Sequence, residues 1–269
     1  MTQKNSPQTI LITGAAGGVG TILRPRLAKP GRTLRLLDLE PLSTVDGEES
    51  ITATVTDLDA MTEACRGADA LIHLGGLSLE DDWPSIMDTN INGTYVALEA
   101  ARRAGVPRVI LASSNHAVGY YPNDGETAPD DLFPRPDTYY GVSKVAMEAL
   151  GSLYSDRYGL DVICLRIGSC FDKPRNARML ASWMSPDDCA RLMEAALSTP
   201  EPGFQVVWGI SANTRGWWSL DGARAIGYEP QDDAEVYAAE VESLVDPYDK
   251  LLGGAFCSPS LDAPLPERS

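Results

Sequence analysis

Histidine is nearly missing from this chain: it has two, His73 and His116. Neither stands at metal-ligand spacing from the other or from a cysteine, which argues against a zinc site. The five cysteines, Cys65, Cys164, Cys170, Cys189 and Cys257, are odd in number, irregularly spaced and contain no CxxC. That pattern predicts reduced thiols rather than a disulfide framework. No apolar run approaches the ~18 residues a membrane helix needs. The opening MTQKNSPQTI is polar and has no apolar signal core, so the expected location is the cytoplasm. Positive charge is scarce, with 22 Lys and Arg against 38 Asp and Glu, for a net charge of −16. Such a chain repels phosphate backbones and anionic lipid, so neither nucleic acid nor a membrane surface is an expected partner. The balance fits an ordinary acidic protein, or one adapted to salt. An anionic small molecule would need a local cation set against this field.

What is present points to one α/β domain. The 269 residues are 43% apolar and 22% charged, enough for a sizeable core. Strands are predicted over 9–13, 33–38, 51–55, 70–74, 108–113 and 161–167. Helices are predicted over 18–28, 58–65, 86–104 and 139–158. Val/Ile/Leu-rich strands alternating with helices predict a doubly wound parallel sheet of the Rossmann type. Beyond Gly168 the pattern changes: a helix over 186–197, a strand over 204–209, and helices near 217–226 and 234–244. The tail after Asp246 reads as irregular. The expected division is a dinucleotide-binding core over 1–170 and a smaller substrate lobe with tail over 171–269, within one structural domain.

The segment Thr13-Gly14-Ala15-Ala16-Gly17-Gly18-Val19-Gly20 follows the first strand and opens a helix. A glycine triplet alone is weak; in this context it predicts a dinucleotide loop. Gly14 permits the turn, Gly17 removes bulk where backbone meets pyrophosphate, and Gly20 allows close packing. Gly18 and Val19 belong to the helix N-terminus, whose free N–H groups and positive partial charge suit an anion. Asp38 ends the second strand, placed to accept from the adenosine ribose hydroxyls and to repel a 2′-phosphate. This predicts NAD rather than NADP. Asp57 and Leu58 are placed for the adenine edge, and Asp57 equally suits a helix cap.

Tyr140 and Lys144 form a YxxxK pair, four apart on one helix face. The cation is expected to favour the phenolate and so lower the Tyr140 pKa, making it a general base for a hydroxyl proton. The fifth strand ends in Ser113-Ser114-Asn115-His116, at the C-terminal end of a parallel sheet, the end that faces ligands. Ser114 is the expected partner of Tyr140 on the substrate oxygen, with Asn115 in reserve. His116 suits a substrate contact or a structural loop role equally, and His73, inside a strand, reads as structural.

TGAAGGVG, YYGVSK and the strand-end serines resemble the extended short-chain dehydrogenase/reductase superfamily over residues 9–170. HLGGLS, ASSNHAVGYYP, LRIGSC, NARMLASWMS and VVWGISANTRGWW resemble the bacterial uronate dehydrogenase family across nearly the whole chain. The resemblance implies NAD-dependent oxidation of D-glucuronate and D-galacturonate at C1 to an aldarolactone. It implies Tyr140 as base with Ser114 and Lys144 assisting. It also implies a sugar site lined by Ser78, Ser114, Asn115, His116, Ser169 and Arg178, and Asn90 supporting the helix of Tyr140. A homo-oligomer is implied as well. Two other readings stay open: a nucleotide-sugar epimerase or dehydratase, and a non-enzymatic dinucleotide-binding redox sensor. Against the first, only roughly 100 residues follow the sixth strand; against the second, the Tyr/Lys pair is kept.

Overall fold

The computed structural model describes residues 8–262. Strands β1 (Thr9–Thr13), β2 (Thr33–Asp38), β3 (Glu48–Thr52), β4 (Ala70–His73), β5 (Arg108–Ser114) and β6 (Asp161–Ile167) run parallel. A short pair, β7 (Ser169–Cys170) and β8 (Trp183–Met184), stands apart, and β9 (Phe204–Gly209) joins the main sheet beside β6. The seven strands lie in the order β3-β2-β1-β4-β5-β6-β9. Strand order reverses between β1 and β4, and ligands of open parallel sheets sit outside the carboxyl ends at such a point.

The period-two alternation of the strands divides the core between two faces. Ile10, Ile12, Leu34, Leu36, Ile72, Ile110 and Ile163 pack with Leu23, Leu27, Leu192 and Met193, on α1 (Gly18–Leu27) and a C-terminal helix over 186–198. Leu11, Leu37, Leu71, Val109, Leu111 and Val162 pack the other way. Their partners are Met61, Cys65, Val96, Ala101 and Met147 of α2 (Leu58–Cys65), α4 (Gly93–Ala104) and α5 (Tyr139–Tyr158). The helix ends are written locally. Asp57 caps α2 by accepting from the Asp59 and Ala60 N–H groups, and Thr138 caps α5 through Gly141 N–H. Gly105 and Gly159 end α4 and α5 in left-handed conformations.

Three boundaries differ from the sequence reading. The third strand runs over Glu48–Thr52, not 51–55. Val55 is apolar for another reason: its methyls fill the space beside Gly75 and Gly93. The long helix begins earlier, as α3 (Trp83–Ile86), and passes through a π-helical segment (Met87–Asn92) before α4. That segment turns buried Asn90 toward Leu77 and Ser143. The C-terminal helices are shorter than expected. After α6 (Met179–Ser182) and α7 (Pro186–Ser198) come only α8 (Asp221–Ala225), a 3-10 turn (Ala234–Tyr237) and α9 (Ala238–Val241). Trp217 and Trp218 stay extended because they pair with Ala128, and the Leu244 carbonyl leaves the helix to accept from Ala177 N–H.

Candidate active site

The glycine loop joins β1 to α1 under close constraint. Gly14 has φ +66, and a Cβ there would meet the Gly75 N and the Leu74 carbonyl carbon at 2.8 Å. A Cβ at Gly20 would fall about 2.5 Å from the Gly14 carbonyl oxygen. Only glycine fits either place. The α1 N-terminus has no side-chain cap and no acidic residue in its first turn. Its N–H groups, including those near Gly17, Gly18 and Val19, are therefore not claimed by a side chain and fit a pyrophosphate. Asp38 ends β2 beside this loop, and its Oδ2 accepts from Ala16 N–H at 2.8 Å. Asp57 uses Oδ1 on the α2 cap, and Leu58 begins that helix. His73 is buried beside Thr13, with Nδ1 2.8 Å from Thr13 Oγ1, and burial pushes its pKa down to about 3. It is a neutral structural group.

The α5 N-terminus brings Tyr140 and Lys144 to the end of β5. Both are buried. The Tyr140 phenol neighbours Ser114, and the Lys144 Nζ lies 5.1 Å from the Tyr140 ring centroid. The expected lowering of the phenol pKa is not what the protein alone gives. Burial pushes it up to about 12; the neighbouring Ser114 hydroxyl opposes this, and the Asp137 charge adds to it. Lys144 donates instead to the Ala112 carbonyl at 2.8 Å, and burial lowers its pKa to about 8 against the pull of Cys164 and Glu148. Asn90 fixes the neighbouring turn of α5 by donating to Ser143 Oγ at 3.1 Å while holding both polar groups of the Leu77 backbone.

The strand-end residues gather around the same point. Asn115 is buried and donates from Nδ2 to the Leu252 carbonyl at 2.7 Å. The Arg178 Nη2 donates to that same carbonyl, while its Nε is buried without a partner. Burial lowers the Arg178 pKa to about 10 despite Asp249, Asp137 and Cys257, so it stays cationic at neutral pH. Arg178 also lines a cavity of about 230 Å³ with Ser182, Arg215, Trp217 and Asp249, in which Tyr140 takes no part. Ser169 is buried, 3.0 Å from Ser182 Oγ. Ser78 is exposed in the loop after β4.

Four residues of this region escaped the sequence reading. Glu80 accepts from the Tyr139 and Tyr140 N–H groups at 3.0 and 2.7 Å, pinning the post-β4 loop to the start of α5. Asp137 lies 2.7 Å from His116 Nδ1. Leu252 and Phe256 come from the tail, where the Phe256 ring stacks on His116 with centroids 4.1 Å apart. An acid just before the Thr138 cap was a readable signal for Asp137; nothing local marked the tail. The set can bind a dinucleotide along the β1–α1 loop and hold a hydroxyl between Tyr140 and Ser114.

The NAD dependent epimerase/dehydratase family matches residues 10–185. A uronate dehydrogenase of Pseudomonas syringae pv. tomato is 43% identical over 92% of this chain and 92% of its own. An NAD-dependent glucose-6-phosphate dehydrogenase of Haloferax volcanii is 39% identical over 88% of this chain and 98% of its own. A mutant uronate dehydrogenase from Agrobacterium tumefaciens, solved in complex with NAD, superposes with a TM-score of 0.87 at 40% identity, covering 93% and 97% of the two chains. The chain belongs to the NAD dependent epimerase/dehydratase family, in its uronate dehydrogenase branch.

Proposed function

We propose that this protein is an NAD-dependent dehydrogenase that oxidises hexuronates, D-glucuronate and D-galacturonate, at C1 to the aldarolactone. The observation that carries this reading is the buried Tyr140–Ser114–Lys144 cluster at the ligand-facing end of the sheet. The likeness to uronate dehydrogenases over 92% of the chain gives the substrate class. Bound NAD supplies the hydride acceptor and a positive charge beside the phenol. Gly14, Gly17, Gly18, Val19 and Gly20 hold its pyrophosphate, Asp38 the adenosine ribose, and Asp57 and Leu58 the adenine edge. Ser114 holds the C1 hydroxyl, and Tyr140 takes its proton as the C1 hydride departs. Lys144 stabilises the phenolate so formed. Asn115, His116, Ser169 and Ser78 orient the sugar ring.

The carboxylate reader is Arg178. Its Nε is buried and has no hydrogen-bond partner among the described residues. A half-buried guanidinium with a spare donor suits a carboxylate. The likeness to a glucose-6-phosphate dehydrogenase favours a second reading, oxidation of another anionic sugar at C1.

NADH formation with D-glucuronate, D-galacturonate, glucose 6-phosphate, L-arabinose and glucose separates the readings. The expected order places both uronates first. Glucose 6-phosphate ahead of them establishes the second reading, and no turnover on any sugar removes both. Tyr140→Phe should cost ~10²–10⁴ in kcat while leaving NAD affinity intact. A variant that keeps a tenth of the rate would mean that another group is the base.

A further inference from the structure

Asp137, the partner of His116, has no part in the site assigned so far. Asp137 lies just before the α5 cap, and its carboxylate is wholly enclosed. Oδ2 sits 2.7 Å from His116 Nδ1, and Thr138 Oγ1 donates to Oδ1 at 3.0 Å. Space around it is cleared by glycine on two sides. A Cβ at Gly119, which follows His116 by three residues, or at Gly253, in the tail, would strike Oδ2. Gly253 N–H donates to the Gly119 carbonyl at 2.8 Å, and Cys257 Sγ donates to the same carbonyl at 3.3 Å. The carboxylate is therefore packed where α5, the post-β5 turn and the tail meet.

His116 is held on three sides by this arrangement. Nδ1 faces Asp137, one ring face is covered by Phe256, and the ring meets Tyr140 edge-on with centroids 5.6 Å apart. Nε2 makes no hydrogen bond among the described residues. An ionised carboxylate accepts only, so the nitrogen facing it must carry the proton. The neutral ring is then left with a bare lone pair on Nε2. Beside Tyr140, that lone pair can accept from a sugar hydroxyl. A hydroxyl-reading acceptor discriminates more sharply than an apolar wall, because a ligand without the donor leaves it unpaired.

We propose that Asp137 is a positioning residue: its carboxylate locks His116 as the Nδ1–H form, so that Nε2 reads a hydroxyl of the bound sugar. This rests on the sugar-oxidising reading above. The ring geometry supplies a test independent of turnover, because only two histidines contribute to the imidazole spectrum. Tag-free protein labelled with ¹⁵N-histidine is observed by NMR at alkaline pH, where the neutral ring dominates. His116 should show a protonated Nδ1 and an unprotonated Nε2. In Asp137→Asn the side-chain amide can donate to Nδ1, and the signals should move toward the opposite form. At saturating NAD, Asp137→Asn should raise KM for the uronate about tenfold with NAD affinity unchanged. In a His116→Gln background it should have no further effect on KM.

A wild-type His116 in the Nε2–H form overturns the proposal. So do penalties of Asp137→Asn and His116→Gln that simply add. If Asp137→Asn does not fold, the wild-type spectrum decides alone. If the wild type oxidises no sugar, the functional reading fails, while the spectrum still decides the state of His116.

Discussion

Burial of the Lys144 ammonium lowers its pKa to about 8, below the ~10.4 of an unfolded lysine. The folded chain therefore gives up this proton before the unfolded chain does. Below pH ~8 the charged form costs stability, and the cost is relieved as pH rises from ~8 to ~10. Removing the charge with Lys144→Met should stabilise the cofactor-free protein at neutral pH by about 1–3 kcal/mol, after allowing for the lost bond to Ala112. The advantage should shrink toward pH ~10. Parallel urea titrations of the two proteins measure it; a difference independent of pH would mean that Lys144 is not charged at the cost described. Arg178 makes a matching case for ligands. Its pKa of about 10 keeps it cationic when uronates bind. A bidentate contact made in both ground and transition states acts mainly on binding. Arg178→Ala should raise KM for both uronates at least ~10-fold, about 1.4 kcal/mol, and spare NAD affinity. It should also narrow the gap between glucuronate and glucose. Full discrimination in the variant would place the carboxylate elsewhere.

The glycine loop and the end of β2 act as one element, since Asp38 Oδ2 accepts from Ala16 N–H within the loop. Asp38→Ala removes both the proposed ribose acceptor and a brace of the loop. NAD affinity should fall by about tenfold or more, while NADP, relieved of repulsion, should bind better relative to NAD. Fluorescence titrations with both cofactors measure this, and a wild type that binds the two alike would leave Asp38 without its assigned role. Such strand–loop–helix units were legible in sequence because their signals are local. Asp57 and Thr138 announce α2 and α5 by capping, and Gly105 closes α4. The edge strand β3 was misplaced because its polar Glu48 and Glu49 carry little strand signal, while Val55 is apolar to fill space beside Gly75 and Gly93. The π-helical segment left no mark on a helical periodicity. Leu252 and Phe256 escaped for a deeper reason: their roles come from contacts with Asn115, Arg178 and His116, far away in sequence.

Over the whole molecule, a net charge of −16 surrounds a site proposed to take two anions, a dinucleotide and a uronate. Long-range repulsion slows the encounter of an anion with such a surface, whereas Arg178 acts only at contact range. Salt separates the two scales, because the screening length is ≈ 10 Å at 0.1 M and ≈ 3 Å at 1 M. Charges spread over the surface act through solvent and are screened by salt, while a half-buried guanidinium in direct contact is screened far less. Moderate salt should therefore remove the repulsion and keep the contact. With NAD saturating, kcat/KM for glucuronate should rise about threefold or more between low salt and ~0.5 M, and kcat should change little. A neutral aldose turned over by the same site should show no such rise, which separates screening from any general effect of salt on the fold. Repeating the measurement with a second monovalent salt distinguishes screening from specific ion binding. A kcat/KM for glucuronate that falls steadily with salt would show that the field of Arg178 governs encounter as well as binding, and that the acidic surface does not oppose the substrate.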